Sequence, residues 1–156
     1  MLVSRNENQK ERESLFSSSP LENEDPVLLM LIGVDTGMSL AKVEFKMDLD
    51  GDDSILSGFL TALKCISEMM FPQPFDRVIF GQYTMLMKAE SPLLFCYVFR
   101  GSSEKATRRL HEFIGVIRKK VSLLNSLKNT ISSGAVDNAA KSSIKDIAMQ
   151  FFTKTA

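Results

Sequence analysis

Val27-Leu28-Leu29-Met30-Leu31-Ile32-Gly33-Val34 and Leu93-Leu94-Phe95-Cys96-Tyr97-Val98-Phe99 decide the fold. Each is a short, continuous apolar run. Pro26 and Asp35 bound the first, and Ser91-Pro92 and Arg100-Gly101 bound the second. Runs of this length that do not alternate with polar residues are strands buried on both faces. Such strands belong in the middle of a sheet with both faces covered. The two runs are therefore expected to lie side by side at the centre of one sheet.

The neighbouring segments complete that sheet. Asp35-Thr36-Gly37 reads as a turn. Leu40–Met47 then alternates, with Lys42, Glu44 and Lys46 opposite Ala41, Val43 and Phe45. This is the pattern of a half-exposed edge strand. Arg77–Phe80 and Tyr83–Lys88, separated by Gly81-Gln82, read as a third and a fourth strand. Asp48–Asp53 (DLDGDD) starts a helix expected over Ser54–Phe71, where Asp52 or Asp53 can cap the first N–H groups and Pro72 and Pro74 close the end. A second helix is expected from Glu104 to Leu127, capped by Ser102 or Ser103. A third runs Val136–Phe152 with Val136, Ala140, Ile144, Ile147, Ala148 and Phe151 on one stripe. The fold class is thus α/β (α+β), a three-layer α-β-α domain with a five-stranded, mostly antiparallel sheet in the order β-β-α-β-β-β-α-α. Residues 1–25 read as a polar tail with a helical tendency at Gln9–Phe16, residues 26–128 as the domain, 129–135 as a linker and 136–156 as a terminal amphipathic helix.

Composition bounds the function. The chain has 156 residues, 44% of them hydrophobic, and 19 basic against 19 acidic side chains. Zero net charge argues against a nucleic-acid binder. The balance is uneven along the chain: residues 1–53 hold 5 basic and 12 acidic groups, whereas residues 100–128 hold 8 and 2. Cys65 and Cys96 both sit in apolar runs and read as buried free thiols in a reducing compartment. The start, MLVSRNENQKERESLF, has no apolar core of signal-peptide length, and no apolar stretch approaches ~18 residues. A cytoplasmic chain is expected.

Chemistry-bearing motifs are sparse. Asp35-Thr36-Gly37, followed later by Val78-Ile79-Phe80-Gly81, has the outline of an aspartic hydrolase that would pair two Asp35 carboxylates across a dimer. A hairpin turn demands the same residues, and the long helix that follows does not suit a small all-β protease. Asp48, Asp50 and Asp52 have calcium-loop spacing, but Asp53 stands where that loop needs glycine and Phe59 where it needs a bidentate acid. His111 is the only histidine, so no metal set forms around it. No phosphate loop or dinucleotide motif is present. No catalytic residue, metal or cofactor is assigned.

Two surfaces are candidates for contact. On the helix at 54–71, Ser57, Thr61, Lys64 and Glu68 form one narrow polar stripe. Ile55, Leu56, Phe59, Leu60, Ala62, Leu63, Ile66, Met69 and Met70 occupy the rest. A surface helix needs an apolar stripe of only ~100°, so the excess must be covered by a partner or by the chain's own terminal helix. The partner-binding set read from this helix is Ser57, Thr61, Lys64, Glu68, Met69 and Met70. The second candidate is basic. Lys105, Arg108 and Arg109, with Arg118, Lys119 and Lys120, suit an anionic membrane, met peripherally, or an acidic partner, although a charge run is also what a solvated face looks like.

With the element order in hand, the chain resembles the longin/roadblock superfamily. The likeness is carried by Asp53–Phe71 (DSILSGFLTALKCISEMMF), Ile79–Tyr83 (IFGQY) and Cys96–Ser103 (CYVFRGSS), followed by a helix with Ala106 and Leu110. Similar stretches occur in archaeal proteins of this group. The resemblance covers about residues 27–128 and implies the longin order of elements. Roadblock domains add a helix before the first strand, for which Gln9–Phe16 is the only candidate, and often dimerise through sheet and central helix. The function implied is that of a non-catalytic platform for a small GTPase or a membrane-trafficking complex, or a self-associating scaffold subunit that forms a homo- or heterodimer.

Overall fold

The computed structural model describes residues 24–46, 53–70, 76–135 and 137–153, with the side chains of residues 53–56 and 67 outside that description. The tail segment Gln9–Phe16, the acidic turn at 48–52 and the side chains of Ile55 and Leu56 therefore lie outside the described residues.

Five strands form one sheet: β1 (Glu24–Gly33), β2 (Ser39–Glu44), β3 (Arg77–Phe80), β4 (Tyr83–Glu90) and β5 (Leu93–Gly101). Their spatial order is β2-β1-β5-β4-β3, and every neighbouring pair is antiparallel. The two apolar runs are thus the central pair, in register from Leu28 opposite Val98 to Gly33 opposite Leu93. The register shifts between Pro26 and Leu28, next to a residue that has no N–H to give to the ladder. Glu24 and Asp25, read from the sequence as part of the tail, belong to β1.

Alternation along the central strands sends side chains into two separate cores. Leu29, Leu31, Phe95, Tyr97 and Phe99 point to one face, and Leu28, Met30, Ile32, Leu94, Cys96 and Val98 to the other. β2 is an edge, with Ala41 and Val43 inward and Lys42 paired with Glu44 on the far side at 2.7 Å.

Among the described residues, four helices cover the sheet. α1 (Asp53–Met70) lies over the second of these faces, where Leu60 joins its core. α2 (Lys105–Lys119), α3 (Val121–Ser133) and α4 (Asn138–Phe152) share the first. The single helix expected over 104–127 is therefore two helices, broken at Lys120, whose φ and ψ are −91° and 85°. The break has a packing reason. Ala106, Leu110, Phe113 and Ile117 face the core at helical spacing, but the next apolar side chain in phase, Val121, is 67% exposed. Interrupting the helix rotates the stripe so that Leu123, Leu127 and Thr130 are buried instead. The helix then runs through the expected linker to Gly134, which closes it at φ 71° with its N–H on the Thr130 carbonyl. The cap of α2 also differs. Its first turn receives no side-chain hydrogen bond, and the Ser103 carbonyl accepts from Arg77 Nη2.

α4 is capped by Asp137, whose carboxylate accepts from the Ala139 and Ala140 amides at 3.0 and 3.2 Å. It buries Ala140, Ile144, Ala148 and Phe152 in the core shared with α2 and α3. Phe152 packs on Tyr97, Phe113 and Phe45 with ring centroids 4.4, 5.5 and 5.8 Å apart. The terminal helix is thus part of the domain's main core.

Candidate functional site

α1 sits on the sheet the opposite way round from what its sequence suggests. Ser57, Leu60 and Lys64 are the buried positions of its inner face, with Thr61 and Leu63 half-buried beside them. The polar stripe at 57, 61 and 64 is therefore the docking face. Small side chains there let the helix approach closely: Thr61 lies against Gly37 of the β1–β2 turn, where an added Cβ would come within 3.5 Å of its hydroxyl. The Thr61 hydroxyl is satisfied within the helix, donating to the Ser57 carbonyl at 2.8 Å. Lys64 lays its methylene stem on the sheet and turns its amine to Glu68 at 3.3 Å. Beneath it, burial pushes the Cys96 thiol up to about 12, with the nearby Lys64 charge acting the other way.

What α1 turns outward is apolar. Phe59 is 60% exposed, Ile66 49%, Met69 86% and Met70 70%. Ala62 and Cys65 are exposed among them. Positions 59, 62, 66 and 69 form one helical stripe, and the four large side chains present on the order of 500 Å² to solvent, near the upper end for the largest apolar patch of a monomer. α4 lies across the sheet and covers none of it. On the β3 edge, Ile79 and Phe80 are also exposed, with Phe80 stacked on Tyr83 at 5.7 Å.

Among the residues expected to bind a partner, Glu68, Met69 and Met70 reach the surface. Ser57 and Lys64 are buried and Thr61 is half-buried, so these three are corrected to anchoring positions. Phe59 and Ile66 are exposed beside Met69 and Met70. Cys65, expected to be buried, is exposed, whereas Cys96 is buried.

The basic candidates lie on the other helical layer. Lys105, Arg108, Lys119 and Lys120 are exposed. Arg109 is not free, because it pairs with the buried carboxylate of Glu24 at 3.2 Å. The Tyr97 hydroxyl donates to the same Glu24 oxygen at 2.7 Å. Burial, and then the Glu24 carboxylate, push the Tyr97 hydroxyl far above its usual range. Arg118 pairs with Glu90. Of the six basic residues, Arg109 and the exposed Arg118 thus tie α2 to the sheet.

The Asp35 turn is explained by its backbone. Gly37 takes φ 70°, the Gly37 N–H donates to the Gly33 carbonyl, and the Thr36 hydroxyl accepts from the Met38 amide at 3.2 Å. Asp35 is exposed on this turn. The second element of the hydrolase outline is the β3 edge strand and its hairpin glycine, Gly81 at φ 59°. Among the described residues, no three His, Cys, Asp or Glu side chains converge as a metal site, and no helix is long and apolar enough to cross a membrane.

No family model and no curated protein matches the sequence. Among solved structures the chain is similar to MglB with a tetrameric arrangement, at 14% identity over 90% of each chain and a TM-score of 0.41. It is also similar to Myxococcus xanthus MglB, at 12% identity over 84% of this chain and 83% of that one, with a TM-score of 0.36. The functional reading rests on the chain's own geometry.

Proposed function

We propose that this chain is a non-catalytic interaction platform that binds a protein partner through the outward face of α1. The partner class is a small GTPase or a subunit of a membrane-trafficking complex, which is what the longin/roadblock resemblance implies. One observation carries the reading: Phe59, Ile66, Met69 and Met70 are exposed on a helix that buries Ser57 and Lys64 instead. Leaving these groups in water forgoes about 1.5–3 kcal/mol for each large side chain that a partner could cover, and flexible methionines adapt to a moving or variable surface.

Capture of the host's small GTPases, loaded with GDP or with a GTP analogue, tests it. The full-length chain should retain one of them, and Phe59→Asp or Met69→Asp should abolish retention without changing the melting temperature. Capture in neither nucleotide state would remove the GTPase from the reading. Retention by both variants would remove α1.

Self-association is the second reading, favoured by the β3 edge. Ile79 and Phe80 are exposed on a strand that, among the described residues, has a partner on one side only, and an open edge is a template for another strand. Light scattering at micromolar concentration decides it, since a clean monomer rules it out.

A further inference from the structure

β3 begins only at Arg77, opposite Leu86, while β4 continues to Glu90 and α2 packs above it. Beside the start of β3, a cavity of about 150 Å³ opens between β4 and α2 among the described residues. This is room for a few waters, at ~30 Å³ each, or for one compact polar group.

Its lining is rich in donors from three separate elements. Arg77 comes from the start of β3, Lys88 from β4, and Thr107 and His111 from α2 one turn apart. The Arg77 guanidinium is fixed in place: its Nη2 donates to the Thr107 hydroxyl at 3.2 Å and to the Ser103 carbonyl at 3.4 Å. A hydroxyl that accepts from Arg77 keeps its own proton to donate. Among the described residues, Asp76 is the carboxylate on the rim. Among the described residues it makes no ion pair with Arg77 or Lys88, whereas Arg109 and Arg118 along the same helix are matched to Glu24 and Glu90. The cavity therefore places two positive charges, Arg77 held and Lys88 exposed, and two further donors around a space that no described side chain fills.

We propose that this cleft binds a phosphoryl group. A planar carboxylate satisfies two parallel donors, whereas donors that converge from a strand start, a strand edge and a helix suit a tetrahedral oxyanion. The site is separate from the α1 face and does not depend on the function proposed for it.

The test is an amide NMR titration of the full chain with sodium phosphate and, in parallel, with O-phosphoserine, each against chloride at equal ionic strength. Saturable shifts are expected at Arg77, Lys88, Thr107 and His111. Lys88→Gln, an exposed change that should leave the rest of the spectrum in place, should weaken binding about fivefold, and His111→Gln should also weaken it. Tighter binding of phosphoserine would mean that the group arrives on a phosphorylated ligand, and equal or tighter binding of phosphate would mean the free anion. Shifts that fail to saturate, that spread over Lys119 and Lys120, or that survive Lys88→Gln at full affinity would overturn the proposal.

Discussion

Glu24 is a carboxylate taken almost wholly out of water, with its side chain 3% exposed. One oxygen holds both the Tyr97 hydroxyl and Arg109, and the other is buried with no partner. Removing either partner strands a buried charge, which costs more than the contact contributes. Tyr97→Phe is expected to lower stability by about 1–3 kcal/mol. Arg109→Leu should cost more, about 3 kcal/mol or above, and adding Glu24→Gln should recover part of that loss in a double-mutant cycle followed by urea denaturation. The sequence showed Arg109 only as one cation in a basic run. Its partner lies 85 positions away, which no local pattern reveals.

The two cysteines make a second comparison at this scale. Cys65 should react with a thiol reagent in the native protein, and Cys96 only on unfolding. The Cys96 thiol is held at about 12 against an ordinary 9.0. Its contribution to stability is therefore intact below pH 9 and is lost as pH rises from about 9 toward 12, because there the unfolded chain ionises and the folded one does not. Cys96→Val should flatten part of that alkaline decline in a melting series. The reading of both thiols as buried failed at Cys65 because an apolar neighbourhood in sequence says nothing about which side of a helix meets the sheet.

At the scale of the element, α1 shows how far periodicity can go. The polar stripe at 57, 61, 64 and 68 was legible, and so was the excess of apolar positions. Which side faces the sheet was not, because a period fixes an angle and leaves the sign open. The sign was set by size: Ser57 and Thr61 fit where Phe59 and Ile66 would hold the helix away. Leu60→Ala should cost about 2–4 kcal/mol, and Ser57→Leu about 1–3 kcal/mol through overpacking. Met69→Ala should change the melting temperature little. If Met69→Ala proves as costly as Leu60→Ala, the orientation described for α1 is wrong. The α2–α3 break was also written in the sequence, in the phase slip from Ile117 to Leu123 across Arg118-Lys119-Lys120. Three cations hide it, because they extend an otherwise good helix.

Across the whole molecule, the central strands, the edge at β2 and the helices on both faces followed from apolar runs and alternation. These features depend on what must leave water, and the sequence records that directly. The place of α4 depended on tertiary contacts and was not legible. With Phe152 on Tyr97 and Phe113, truncation after Ser133 should expose the aromatic core, and a chain ending there should lose cooperative unfolding and bind a hydrophobic dye. A truncated chain that melts normally would show α4 to be dispensable.

The pairing of β1 with β5 also has a consequence in time. Leu29 meets Tyr97, 68 residues later, and no strand made in between can replace it at the sheet's centre. A growing chain adds ~5–20 residues per second, so β1 leaves the ribosome roughly 3–14 seconds before its neighbour is made. Throughout that interval only the β2 hairpin, and then α1 on one face, can shield the strand, and the face that α2, α3 and α4 will cover stays open. During synthesis, more than in the finished fold, this protein should depend on chaperones that hold nascent chains.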